Sequence, residues 1–280
     1  MKFTKMHGLG NDFVIIAGET RLPVEAGKLA RNICDRHTGI GADGLVYILP
    51  SAIADFRMRI LNADGSEAEQ CGNAVRCVAL YYYERISGAR QALTVETQAG
   101  VQRVWLEGDG MDRLVRVDMG RPVLASKDIP AAVEGETVVD RTLQVNNRGE
   151  ERAYTFTAVS MGNPHAVIEV EDARGYPLEQ WGPLVETHPY FPNKTNVEFI
   201  TIRSRDEMDM RVWERGVGQT MACGTGACAA LVASVLRGRA DRRALVHLKG
   251  GDLLIEWNEE DGRVYMTGPA VTVFEGEWNR

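Results

Sequence analysis

Two Cys-Gly steps recur at one spacing along the chain. Cys71-Gly72-Asn73-Ala74 and Cys223-Gly224-Thr225-Gly226 lie 152 residues apart (223 − 71). Met58-Arg59-Ile60 and Met210-Arg211-Val212 share that offset, and so do Asn11 and Asn163. Similarity at a single ungapped offset implies two structurally similar halves. It also sorts the five cysteines. Cys71 and Cys223 are images of each other, whereas Cys77 maps to Ala229, Cys228 to Arg76 and Cys34 to Glu186. If a pseudo-twofold axis relates the halves, the matched thiols are expected to lie across a shared cleft.

Local patterns place each Cys-Gly in the same setting. Asp55–Leu61 and Asp209–Trp213 alternate and read as strands. A polar, Gly-containing loop follows each, Asn62–Gln70 and Glu214–Ala222. Each Cys-Gly then opens a helical pattern. Val75, Val78, Ala79 and Tyr82 follow i, i+3, i+4, i+7 spacing, and Gly88 is a plausible stop. Ala227–Leu236 is apolar nearly all round, as in a buried central helix. Leu93–Thr97, Val101–Leu106, Leu114–Asp118, Ala153–Val159, Leu253–Trp257 and Arg263–Met266 read as further short strands. The expected fold is α+β: two pseudo-symmetric halves, each a mixed or antiparallel sheet around a central helix. The division is expected at 1–120 and 121–267.

Composition narrows the function. Hydrophobic residues make up 44% and charged residues 25% of the 280, which is ordinary globular usage and argues against global disorder. Net charge is −7 and no basic arm stands out, so a nucleic-acid partner is not expected. Met1–Gly10 lacks the apolar core of a signal peptide, and Ala227–Leu236 is too short to span a bilayer. A cytoplasmic location with no membrane partner is the expectation. There the odd number of irregularly spaced cysteines reads as free thiols.

A cysteine at a helix start sits among unpaired backbone N–H groups. The helix dipole favours its thiolate by roughly 0.3–1 kcal/mol when exposed and up to ~2 when partly buried. The following glycine lets a ligand approach the backbone, whose N–H groups bind carboxylates. Each half thus offers a base and an anion clamp at one spot. With a substrate carboxylate held at both helix starts, one thiolate removes the α-proton and the opposite thiol reprotonates the other face. The stereocentre inverts with no change of oxidation state. N–H donors aimed at the carboxylate stabilise the developing enediolate, usually the largest catalytic contribution. The two loops differ: Asn62-Ala63 in one half is matched by Glu214-Arg215 in the other. Arg215 can grip a second carboxylate bidentately, which implies an asymmetric substrate pose.

The chain resembles the diaminopimelate epimerase family along nearly its whole length. The resemblance is carried by Met6-His7-Gly8-Leu9-Gly10-Asn11-Asp12-Phe13, by Asn62-Ala63-Asp64-Gly65-Ser66-Glu67 with Gln70-Cys71-Gly72-Asn73, and by Met161-Gly162-Asn163-Pro164-His165. Glu214-Arg215-Gly216 and Ala222-Cys223-Gly224-Thr225-Gly226-Ala227-Cys228 complete it. It implies interconversion of LL- and meso-2,6-diaminoheptanedioate without pyridoxal phosphate, in lysine and peptidoglycan precursor synthesis. It also implies no cofactor, no metal, a cytoplasmic homodimer, and a final strand, about 268–280, that returns to the first half. By resemblance Cys71 is the proton donor and Cys223 the acceptor. Asn11, Asn62, Asn163, Asn196, Glu214 and Arg215 match substrate-binding positions. Gly72, Asn73, Gly224 and Thr225 match the clamps at the reacting carboxylate, and His165 a histidine near the first thiol. Gly44 stands where some members carry a binding Gln, Gln219 replaces a more usual Glu, and Thr225 keeps the hydroxyl of a common Ser.

Other readings compete. Cys34, Cys77 and Cys228 read as inert core cysteines. By residue type alone Asn62 and Asn196 are turn residues, Arg215 a surface ion-pair residue and His165 a structural histidine. Gly224–Ala229 also fits the G-x-G-x-x-A dinucleotide fingerprint, but without an opening βαβ unit. Cys34, His37, Cys71 and Cys77 lack paired zinc-ligand spacing. The rival functions are a proline- or hydroxyproline-racemase-like enzyme, which needs no grip on a distal carboxylate, and a non-catalytic thiol-redox or amino-acid-binding protein.

Overall fold

Strand Phe56–Asn62 buries Phe56, Met58 and Ile60 on one face, and Glu207–Glu214 buries Met208, Met210 and Val212 in the same alternation. Around each of these strands the computed structural model, which describes residues 1–69, 71–88, 90–110 and 113–279, builds one compact unit. The first comprises Met1–Asp118 with Thr267–Arg280, the second Met119–Met266.

The first unit contains β1 (Lys2–Gly8), β2 (Asn11–Ala17), α1 (Ala26–Cys34), β3 (Gly44–Leu49), β4 (Phe56–Asn62), a short β5 (Glu67–Ala68), α2 (Gly72–Tyr82), β6 (Ala92–Thr97), β7 (Gly100–Glu107) and β8 (Leu114–Asp118). The chain's last strand, Val271–Glu277, pairs antiparallel with β1. From it the sheet runs β1, β2, β3, β4, β6, β7, β8, with β2–β3 and β4–β6 parallel and the other neighbours antiparallel. Parallel neighbours need a long crossover. α1 supplies it between β2 and β3, and α2 between β4 and β6.

The second unit contains β9 (Arg141–Asn147), β10 (Glu150–Ser160), β11 (Pro164–Glu169), α3 (Leu178–Glu186), β12 (Asn196–Ser204), β13 (Glu207–Glu214), a short β14 (Gly218–Gln219), α4 (Gly224–Leu236), β15 (Arg243–Leu248), β16 (Gly251–Trp257) and the start of β17 (Val264–Pro269), whose residues from Thr267 on belong to the first unit. Its sheet runs β9, β10, β11, β12, β13, β15, β16, and the parallel pairs are again those that span a helix, β11–β12 and β13–β15. Registers repeat as well. Phe13 lies beside Gly44, and their images at the 152-residue offset, His165 and Asn196, are partners in turn.

Helices α1 and α3 have no signal in the sequence patterns above. Both are short, and neither has a side-chain cap. α1 is fixed by tertiary packing: Ala30 and Ile33 bury against Val14, Leu45 and Tyr47 of the sheet. α3 seats Trp181 and Val185 among Tyr154, Phe156 and Phe199. α2 and α4 start at the glycine after each cysteine, and Gly224–Ser234 is buried almost without a break. Fully burying one Leu or Val side chain contributes ~1.5–3 kcal/mol, so apolar α4 is stable only as a core element. α2 runs on into a wider turn, Tyr83–Ser87, which Gly88 ends at φ +62°. No helix among the described residues is long and apolar enough to cross a membrane.

Candidate active site

Cys71 precedes the first residue of α2 with extended backbone, and its carbonyl accepts the Val75 N–H at 2.9 Å. Its thiol points at Asn11 Oδ1, 3.7 Å away. That oxygen also accepts from Asn73 Nδ2 at 3.0 Å, while Asn11 Nδ2 donates to Asp43 Oδ2 at 2.7 Å. Asn73 is held in turn by Arg76, whose Nη2 donates to Asn73 Oδ1 at 2.9 Å and whose Nε donates to the Pro269 carbonyl at 3.1 Å. Arg76 is wholly buried. The first unit therefore brings Asn11, Cys71, Gly72 and Asn73 together around one helix start. Asn62 ends β4, where its amide donates to Ser66 Oγ at 3.0 Å and its carbonyl accepts the Gly65 N–H at 2.9 Å. Gln70 lies outside the described residues.

Cys223 takes the same place before α4 but is buried, and its sulfur caps the helix by accepting the Gly226 N–H at 3.3 Å. Thr225 Oγ1 stands 3.4 Å from it. Burial holds the Cys223 thiol well above its ordinary pKa, the Glu214 and Glu198 carboxylates raise it further, and the bonds from Thr225 and Gly226 pull only partly the other way. Gly224 has no room for a side chain, since a Cβ there would meet Met266 Sδ at 2.8 Å. Burial likewise lifts the Cys34 thiol to about 11 and the Cys77 thiol to about 12, so both stay protonated at neutral pH.

The other predicted residues of the second unit form two groups. Asn196, first in β12, donates to the Pro164 carbonyl at 2.9 Å and accepts the Arg215 N–H at 3.0 Å. Glu214 ends β13 and accepts from Thr220 Oγ1. His165 is fully buried, with Nδ1 2.7 Å from Glu198 Oε1 and Nε2 2.9 Å from Asn163 Oδ1. Glu198 reaches the start of α4 as well: a Cβ on Gly226 would stand 2.7 Å from its Oε1.

Three supporting residues escaped the sequence reading. Arg76 follows Cys71 by little more than one helical turn and stands out in the sequence only as the image of Cys228. Glu198 lies two residues beyond Asn196, on the same face of its strand. Glu186 stands out in the sequence only as the image of Cys34. At Gly44, a Cβ would come within 3.0 Å of the Leu61 carbonyl, so the backbone there admits no side chain without a shift.

The family model described as diaminopimelate epimerase matches residues 3–125 and 157–273, which include both Cys-Gly helix starts. The chain belongs to the diaminopimelate epimerase family. It is 52% identical over 279 residues to the diaminopimelate epimerase of Methanococcus maripaludis strain C6, covering 99% of each chain. It is 55% identical over 281 residues to that of Moorella thermoacetica, again covering 99% of each. Among solved structures, a predicted epimerase from Pseudomonas aeruginosa superposes with a TM-score of 0.69 at 16% identity, covering 99% of this chain and 98% of that one. A probable proline racemase from Agrobacterium radiobacter K84 gives a TM-score of 0.68 at 18% identity, covering 99% and 92%. Likenesses at that identity speak for the α+β fold alone. The diaminopimelate epimerase family is thus assigned by sequence, and its architecture is shared with racemases.

Proposed function

We propose that this member of the diaminopimelate epimerase family interconverts LL- and meso-2,6-diaminoheptanedioate, the step its family name describes, in lysine biosynthesis. The observation that carries the mechanism is the repeated Cys-Gly at the start of α2 and of α4, each thiol facing groups that orient it. In the LL to meso direction the Cys223 thiolate accepts the α-proton. The Cys71 thiol delivers another to the opposite face, and the roles exchange in reverse. Burial favours the protonated form of the Cys223 thiol in the free protein, so turnover depends on its ionisation. Backbone N–H groups at Gly72-Asn73 and Gly224-Thr225 stabilise the carboxylate as it takes on enediolate character.

In this reading Asn11 and Asn163 orient the reacting end, with His165 supporting them. Asn62, Asn196, Glu214 and Arg215 bind the distal amino acid, whose carboxylate Arg215 grips. Proton exchange leaves the oxidation state of the substrate unchanged, so the reaction calls for no electron acceptor. A cytoplasmic homodimer completes the proposal. It is tested by incubating the reduced protein, treated with chelator and free of pyridoxal phosphate, with LL-diaminopimelate in D₂O. Deuterium at the α-carbon and meso product are expected. Neither appearing would reject the reading, and turnover of proline instead would select the racemase-like alternative.

A further inference from the structure

Glu186 is the last residue of α3 and is 94% buried by its 6% exposure. Its image in the first unit is Cys34, so only the unit that carries Arg215 has a carboxylate here. Oε2 accepts from Trp213 Nε1 at 2.7 Å, Oε1 accepts the Gly216 N–H at 2.9 Å, and Lys194 Nζ lies 3.6 Å from Oε1. The two hydrogen bonds therefore bracket Glu214-Arg215.

The bond to Gly216 falls at a decisive peptide. Glu214–Val217 is a tight turn, closed by the Val217 N–H on the Glu214 carbonyl at 3.1 Å. Gly216 occupies its third place at φ +75°, the type II form, which differs from type I by a flip of the Arg215–Gly216 peptide. That flip changes ψ of Arg215 and turns the Gly216 N–H away from Glu186. The Arg215 N–H is already anchored on Asn196 Oδ1 at 3.0 Å. Glu214 belongs to β13 and pairs with Gly218, so it is fixed by the sheet rather than by this carboxylate.

We infer that Glu186 is a positioning residue: by tying Trp213 Nε1 and the Gly216 N–H on either side of Glu214-Arg215 it fixes this loop, and with it the place from which the Arg215 guanidinium meets the distal carboxylate of the substrate. This inference rests on the proposed role of Arg215. An interaction made equally in the ground and transition states shows up in KM rather than kcat.

The test compares Glu186→Ala, Gly216→Ala, Arg215→Ala and the Glu186→Ala/Arg215→Ala double variant with LL-diaminopimelate. Gly216→Ala leaves the buried carboxylate untouched: a Cβ there meets nothing within 4 Å, so the change acts only by disfavouring positive φ. Glu186→Ala and Gly216→Ala are each expected to raise KM about tenfold with kcat within about threefold of the parent, and Glu186→Ala to add no further rise in the Arg215→Ala background. If Arg215→Ala raises KM while folded Glu186→Ala leaves it unchanged, the inference falls and the role of Arg215 stands. If Arg215→Ala itself leaves KM unchanged, the role of Arg215 falls and the inference with it. Should Glu186→Ala fail to fold, Gly216→Ala decides: an unchanged KM overturns the inference, and a raised KM with kcat preserved supports it.

Discussion

Arg76 Nη2 lies 2.9 Å from Asn73 Oδ1, and through that bond a guanidinium with no exposure to solvent orients the amide that in turn holds Asn11. Arg76→Met keeps much of the volume and removes the donors. Each orphaned buried acceptor costs about 1–3 kcal/mol, so a fall of that size or more is expected in urea unfolding. Asn11 and Asn73 then lose their fixed orientation beside Cys71. We expect α-proton exchange, measured as deuterium uptake per active site, to fall at least tenfold in folded protein. Retained exchange would show that the asparagines need no such support.

Cys71 and Cys223 are expected to be individually indispensable, since inversion needs one group to take a proton and another to give one. Positioned acid–base groups contribute ~10²–10⁴-fold each, so Cys71→Ala and Cys223→Ala should each lose at least that in kcat. Cys34→Ala should retain kcat, because Cys34 is a buried protonated thiol packed with Ala30 and Leu45. Steady-state rates on freshly reduced protein check all three. Epimerisation surviving in either active-site variant would exclude the two-thiol mechanism.

The repeat was legible because its spacing is conserved through both crossovers. α1 at Ala26–Cys34 and α3 at Leu178–Glu186 differ by 152 at both ends, as do the first residues of α2 and α4, Gly72 and Gly224. Strand alternation located β4 and β13 to within two residues. What stayed hidden was long-range. No local signal says that β2 and β3 are parallel, which is what requires a helix between them. Nor does any pattern reveal that Glu186 or Arg76 supports a distant loop, because a buried charge is identified by its partners and those lie far along the chain. Asn196 and Asn62 show the same limit. As residue types both are turn formers, and it is the Arg215 N–H on Asn196 Oδ1, with Asn196 Nδ2 on the Pro164 carbonyl, that gives the first a specific task.

His247 bridges two carboxylates on the second sheet, with Nδ1 2.7 Å from Asp252 and Nε2 2.9 Å from Glu207. Burial pushes its pKa down, but the bonds to Asp252 and Glu207 outweigh it and the net shift is upward. A raised folded-state pKa stabilises the fold fully below the unfolded value near 6.5, and that contribution is lost as pH rises through the folded value. Thermal unfolding should therefore show stability declining above pH 6.5, less steeply in His247→Gln. Asp252 is half exposed and screened, so the difference in Tm should not exceed about 2–4 °C. Parallel pH profiles for the two proteins would remove His247 as the cause.

Cys223 makes the sharpest prediction about pH. Burial raises its thiol pKa first, Glu214 and Glu198 add to that, and the opposing bonds from Thr225 and Gly226 do not cancel it. The free protein at neutral pH thus holds a thiol where the reaction needs a thiolate. Because kcat/KM reports ionisations of the free enzyme, it should climb with pH through the neutral range and beyond pH 8 without a plateau. Glu214→Gln removes one negative charge and should move the rising limb to lower pH, whatever it does to the height of the profile through lost substrate contacts. Replacing Cys34, whose thiol is raised to about 11 by burial, should leave the limb where it is. A profile already flat at pH 7, or one unmoved by Glu214→Gln, would mean that the ionisation controlling turnover belongs to another group.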